Sequence, residues 1–222
     1  MKTYDFSEPI DELVIQVGAI DLRIEEGDSL RVECDHKYVT VTEEEGRLSI
    51  IEDEPWATTY VGTATLTVYL PVETLFNLVQ LKIGVCNAEI GKLTTDELEM
   101  VFGAGNVTVA ELNVMGSADI DSGTANVTVS EGSIECLDLD MGVGKLHLVC
   151  KLTGENDISL GVGSSDICLV GGKSAYTVEV TTGAGAVWVD GERVENGSVH
   201  GSGENRVELS GSVGSVDLVF GV

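Results

Sequence analysis

Proline is scarce, with 3 in 222 residues, and this excludes a proline-rich spacer or disordered tract. No run of about 18 apolar residues occurs, so no stretch reads as a membrane-spanning helix. The opening "MKTYDFSEPIDELVIQ" lacks a basic segment followed by an apolar one and does not read as a secretory signal. The expectation is a cytoplasmic chain without direct membrane insertion, or an envelope-associated one if an export signal has been removed. Positive charge is scarcer still relative to its opposite: 12 Lys and Arg face 38 Asp and Glu, a net charge of −26. Such a field repels phosphate backbones, which argues against nucleic acid as a partner. It favours cationic partners, either a cationic peptide or a basic protein face, or loosely held metal ions. The 5 cysteines form no CxxC pair and leave one over, so buried free thiols are expected. No cofactor motif is present. "VGGKS" (170–174) ends like a phosphate loop, but Ile167 stands where the first glycine is required.

Glycine is what the chain has in excess. Its 27 glycines exceed the usual share of roughly 7%, and they recur. Segments such as "GAGNVTV" (103–109), "GTANVTV" (123–129) and "GVGKLHL" (142–148) start at Gly84, Gly103, Gly123, Gly142, Gly161, Gly183 and Ser212. Most steps are 19 or 20 residues; the step from 161 to 183 is read as two extra residues at Ser164 and Ser165. A longer insert falls at 190–205. Each unit reads as strand, glycine turn, strand, with no helical period.

Three residues before each turn lie Leu81, Met100, Ile120, Leu139, Ile158, Val180 and Leu209, all apolar. After it come inward pairs such as Val107 and Val109, Val127 and Val129, Leu146 and Leu148, and Ile167 and Leu169. A unit this short cannot bury its own apolar face, so the units must coil and stack. The fold class expected is all-β, a single-domain β-solenoid over 1–222 with rungs of about 20 residues. Its rungs are irregular over 1–80 and regular over 81–222, and some ten rungs make a rod roughly 50 Å long. "EEEGRL" marks a hairpin, and 52–62 a protruding loop whose Trp56 and Tyr60 are either an aromatic handle or packing.

With "LVIQVGAIDLRIEEG", "GRLSI", "LTVYLP", "LEMVFGAGNVTV" and "GSSDICL", residues 10–222 resemble a bacterial family of putative adhesin domains of unknown function. These are β-solenoids also described as adhesin-head-like. The resemblance implies the fold, an envelope or surface setting and, for some relatives, a response to antimicrobial peptides. It brings no catalytic motif.

Four residues before successive turns stand Glu99, Asp119, Asp138, Asp157, Glu179 and Glu208, with Asp121 and Asp140 as a second, shorter column. Stacked about 4.8 Å apart, these carboxylates repel one another. The repulsion is relieved when a cationic partner arrives, or else is simply borne by a hydrated, aggregation-resistant face. A second outward column reads Glu89, Thr108, Thr128, His147, Cys168, Trp188 and Asp217, and brings His147 next to Cys168. No third ligand or orienting group completes a metal or catalytic set there, and His36 beside Cys34 is weaker still. The reading is therefore a non-enzymatic binding or scaffold module without catalytic or metal residues. The alternatives are a carbohydrate-active enzyme using stacked acids such as Asp119 and Asp138, and a structural unit that assembles through its end rungs. The sequons at Asn106, Asn126 and Asn196 are read as turn asparagines.

Overall fold

The computed structural model describes residues 1–53 and 64–221; Trp56 and Tyr60 lie outside them. The N-terminal part holds β1 (Lys2–Asp5), β2 (Glu12–Gly27), β3 (Arg31–Cys34), β4 (Val39–Glu44), β5 (Arg47–Glu52) and β6 (Thr65–Pro71). The regular coil is β7 (Phe76–Glu135), β8 (Leu137–Thr153) and β9 (Glu155–Val170). The chain then runs through β10 (Tyr176–Thr182), β11 (Ala186–Val189), β12 (Glu192–Arg193), β13 (Ser198–Gly201) and β14 (Asn205–Gly221). The architecture is the expected all-β solenoid. Parallel rungs stack in register, with Val127 against Leu146 and Ile120 against Leu139, then Ile158.

Alternation builds the core. Leu139, Leu146 and Leu148 point inward at 1% exposure while Asp138, Asp140 and His147 between them point out. Each fully buried Val, Leu or Ile contributes about 1.5–3 kcal/mol, and every rung adds several. Glycine marks the corner because the rungs touch there: a Cβ on Gly142 would lie 2.5 Å from the Gly123 carbonyl oxygen. Gly163 is more constrained, at φ +155° with its imagined Cβ 1.7 Å from Gly144 O.

Rung order departs from chain order at both ends. The last strand, β14, lies between β9 and the β10/β11 rung: Leu209 pairs with Ile158 on one side and Val180 on the other. Likewise β2 lies between β7 and the rung made of β5 and β6. The units at 183 and 212 are therefore exchanged relative to their sequence order. Both β2 and β14 are thereby hydrogen-bonded along two edges. Beyond the end rungs the pairing turns antiparallel, with β4 on β5, β3 on β6 and β1 on β3 at one end. At the other end β13 covers β10 and β12 covers β11. These returning strands cover the open edges of the parallel stack.

A second correction concerns Ser164 and Ser165, which are not an insertion. Ser164 pairs with Lys145 and Ser165 with Leu146, so the inward pair of this rung is Ser165 and Ile167. The extra length is taken up after β9, around the 3-10 turn Lys173–Ala175. Ser165 is 7% exposed; one buried hydroxyl broke the apolar pattern and displaced the alignment by two residues.

The asparagines do more than turn the chain. Asn126 Nδ2 donates to Asn106 Oδ1 (2.9 Å), Asn106 Nδ2 to Asn87 Oδ1 (3.0 Å), and Asn87 Nδ2 to Asp21 Oδ1 (3.2 Å). The Lys145 N–H enters this ladder at Asn126 Oδ1. All donors run one way and end on an anionic acceptor, an arrangement in which each bond polarises the next. Of the thiols, Cys34 and Cys150 are buried, but Cys136 and Cys168 are half-buried; all four are free. Burial pushes Cys150 up to about 12, so it is inert.

Candidate functional site: an acidic double column

Stacking brings the carboxylates together, in the order Asp119, Asp138, Asp157, Glu208, Glu179. Beside them Asp121 faces Asp140, and the column continues as Ser159 and Ser210. Alternation with buried Ile120 and Leu139 fixes both columns on one outward face.

The two ends of the longer column are neutralised. Glu99 receives Lys82 Nζ at 2.7 Å and a hydrogen bond from Gln80. Its carboxyl is held below the ordinary range, by the Lys82 hydrogen bond first and then Gln80. Glu179 receives Arg206 Nη2 at 2.9 Å, and the same guanidinium reaches Glu155 at 3.6 Å. Between these ends, Asp119, Asp121, Asp138, Asp140, Asp157 and Glu208 make no ion pair among the described residues. Asp157 accepts the Ser159 hydroxyl, at 3.3 Å. Desolvation, followed by the like charges of Asp121, Asp138, Glu99 and Asp140, pushes the Asp119 carboxyl above its ordinary value. Asp138 is pushed the same way by desolvation, then by Asp140, Asp157 and Asp121. An open trough of about 640 Å³ runs along the corner glycines 103, 123, 142 and 161 and takes in Asp121 and Asp140.

A family model described as Toastrack DUF4097 matches residues 10–202. The chain belongs to the Toastrack family. A crystal structure of a putative adhesin from Parabacteroides merdae ATCC 43184 is similar to it with a TM-score of 0.52 at 15% identity, covering 98% of this chain and 94% of that one. A putative adhesin from Bacteroides fragilis NCTC 9343 is similar at a TM-score of 0.47 and 11% identity, covering 98% and 96%. Similarity at this identity concerns the fold. No curated protein matches the chain.

In this Toastrack chain the second outward column does not have the expected neighbours. His147 faces Asp166, not Cys168, which lies opposite Val149. The column runs His147, Asp166, Asp217, Trp188, because Ser165 shifts the register and β14 enters the stack. The thiol and imidazole pair is thus separated. Among the described residues no group of three or more His, Cys, Asp or Glu side chains is arranged to hold a metal ion. His36 is buried near Glu52, with Nε2 3.7 Å from Oε1, while Glu52 Oε2 accepts the Gly18 N–H at 2.6 Å. That contact ties the N-terminal cap to the first corner. No helix among the described residues is long and apolar enough to cross a membrane.

Sequence reasoning missed the cations that close the ladder. Lys82 lies two residues after Gln80, and Arg206 two before Glu208. Each is visible only once the rungs are laid side by side. It also missed Asn156, whose buried side chain bonds β8, the β8–β9 corner and β14 at once.

Proposed function

We propose that the chain is a one-domain, non-enzymatic binding or scaffold module whose acidic face receives a cationic partner, either a basic peptide or a basic protein face. The observation that carries this reading is the contrast within one column. Glu99 and Glu179 are ion-paired, whereas the carboxylates between them are stacked without a counter-charge among the described residues. Stacked like charges cost free energy that an arriving cation returns. The adhesin label of the solved relatives is in keeping with binding as the role. The stacked-acid enzyme is disfavoured because acid and base work needs two carboxyls with pKa values pushed apart, and Asp119 and Asp138 are pushed the same way by the same causes.

Thermal unfolding with hexalysine, calcium chloride or sodium chloride at equal ionic strength tests this. A ligand of the folded state raises the midpoint by mass action. Hexalysine should raise it saturably and more than either salt. Equal shifts in all three would reduce the face to diffuse charge and sink the proposal.

A further inference from the structure

One residue past the corner glycines, exposed apolar side chains stack in register. Val143 pairs with Val162, and Val162 with Val213. They are 46%, 49% and 49% exposed. Gly142 and Gly144 flank the first, Gly161 and Gly163 the second, and Ser212 and Gly214 the third, so at most one small neighbouring side chain in the sequence stands beside each. Thr124 holds the same position one rung earlier. This ridge borders the glycine column whose trough takes in Asp121 and Asp140.

We propose that this face docks an amphipathic basic α-helix of a partner protein, laid along the coil axis. Its apolar side chains would rest on Val143, Val162 and Val213, with its Lys or Arg side chains over the trough toward Asp121 and Asp140. The inference rests on the acidic face being a cation-receiving surface, and it adds the form of the partner. Spacing selects the helix. Rungs repeat about every 4.8 Å, and a helix returns to one face about every 5.4 Å. An extended segment does so about every 6.6 Å. Over the two steps from Val143 to Val213 a helix drifts by about 1.2 Å and an extended strand by about 3.6 Å. Charge selects against a second copy, which would bring −26 against −26.

The test uses three peptides: two of identical Leu and Lys composition, one patterned at the helical period and one strictly alternating, and an oligolysine of the same charge. Affinity is read by fluorescence anisotropy on the wild-type protein and on Val143→Thr/Val162→Thr/Val213→Thr. Threonine already stands at position 124, so these substitutions preserve the β-branched surface, and an unchanged unfolding midpoint confirms it. The helical pattern should bind wild type on the order of tenfold tighter than the alternating one. In the triple variant that preference should vanish while oligolysine affinity stays the same. If both patterned peptides bind wild type equally, or the preference survives in the variant, helix docking is wrong, yet oligolysine binding would still uphold the acidic face. If oligolysine does not bind at all, both readings fall.

Discussion

Replacing Asn156 with Ala should loosen the coil where the C-terminal rung enters it. Asn156 is 4% exposed. Its Oδ1 accepts the Leu137 N–H at 3.0 Å, and its Nδ2 donates to Arg206 O at 2.9 Å and to Thr153 O and Gly154 O, each at 3.2 Å. One amide thus joins β8, the β8–β9 corner and the inserted β14. The two amide hydrogens and the one accepting oxygen give three hydrogen bonds' worth of interaction, about 1 kcal/mol each. The Leu137 N–H is left without its acceptor, which adds about 1–3 kcal/mol. The expected loss is about 4–6 kcal/mol, read as a fall in the urea midpoint at unchanged m-value. Amide exchange at Leu137 should accelerate in parallel. Asn126→Ala, in the exposed ladder, is the control and should cost less than about 1 kcal/mol. A loss below about 1 kcal/mol for Asn156→Ala, or an unchanged Leu137 exchange rate, would refute the claim that this side chain pins the rung.

Gly163→Ala should cost at least about 3 kcal/mol or abolish soluble expression, because its Cβ meets backbone 1.7 Å away and its φ is unfavourable; a urea midpoint near wild type would contradict the corner geometry. Ser122 Oγ is buried without a partner among the described residues, so Ser122→Ala should raise stability by about 1 kcal/mol, measured by the same titration. Asp119 and Asp138 have folded-state values above their unfolded ones. Folding therefore binds protons, and stability from these groups falls as pH rises through their raised values. Asp119→Asn/Asp138→Asn should accordingly be more stable than wild type at pH 7, with the advantage gone below the unfolded value of 3.8; a constant advantage would mean the charges are not its source. Deleting residues 205–222 should release the β10/β11 rung as well, since β14 is what joins it to β9; limited proteolysis would then cut within 171–204 while sparing the coil before it.

Much of this was legible in the sequence. The period-two alternation and the glycine spacing gave the coil, its inward column and the facing of Asp119 on Asp138, because stacking is set by residues that repeat in every unit. Three things were not legible. The exchange of β14 with the β10/β11 rung has no sequence mark, since Val187 and Val216 fit either neighbour equally well. The register of β9 was obscured because Ser165 fills an inward position that pattern matching assigns to a hydrophobe. The ion pairs of Lys82 and Arg206 were hidden for a related reason. Lys82–Glu99 and Arg206–Glu179 join residues diagonal between rungs, where a column-by-column reading looks only straight across.

The central claim is that the middle carboxylates, not the protein's overall charge, take up a cationic partner. The direct measurement is oligolysine affinity across a range of salt concentrations, compared between wild type and Asp119→Asn/Asp121→Asn/Asp138→Asn/Asp140→Asn. A comparison variant neutralises four other exposed carboxylates, Glu8, Glu45, Glu73 and Glu195. The account predicts that only the first variant loses most of the affinity and flattens the salt dependence. Equal losses in both variants would show that net charge alone is at work and would contradict it.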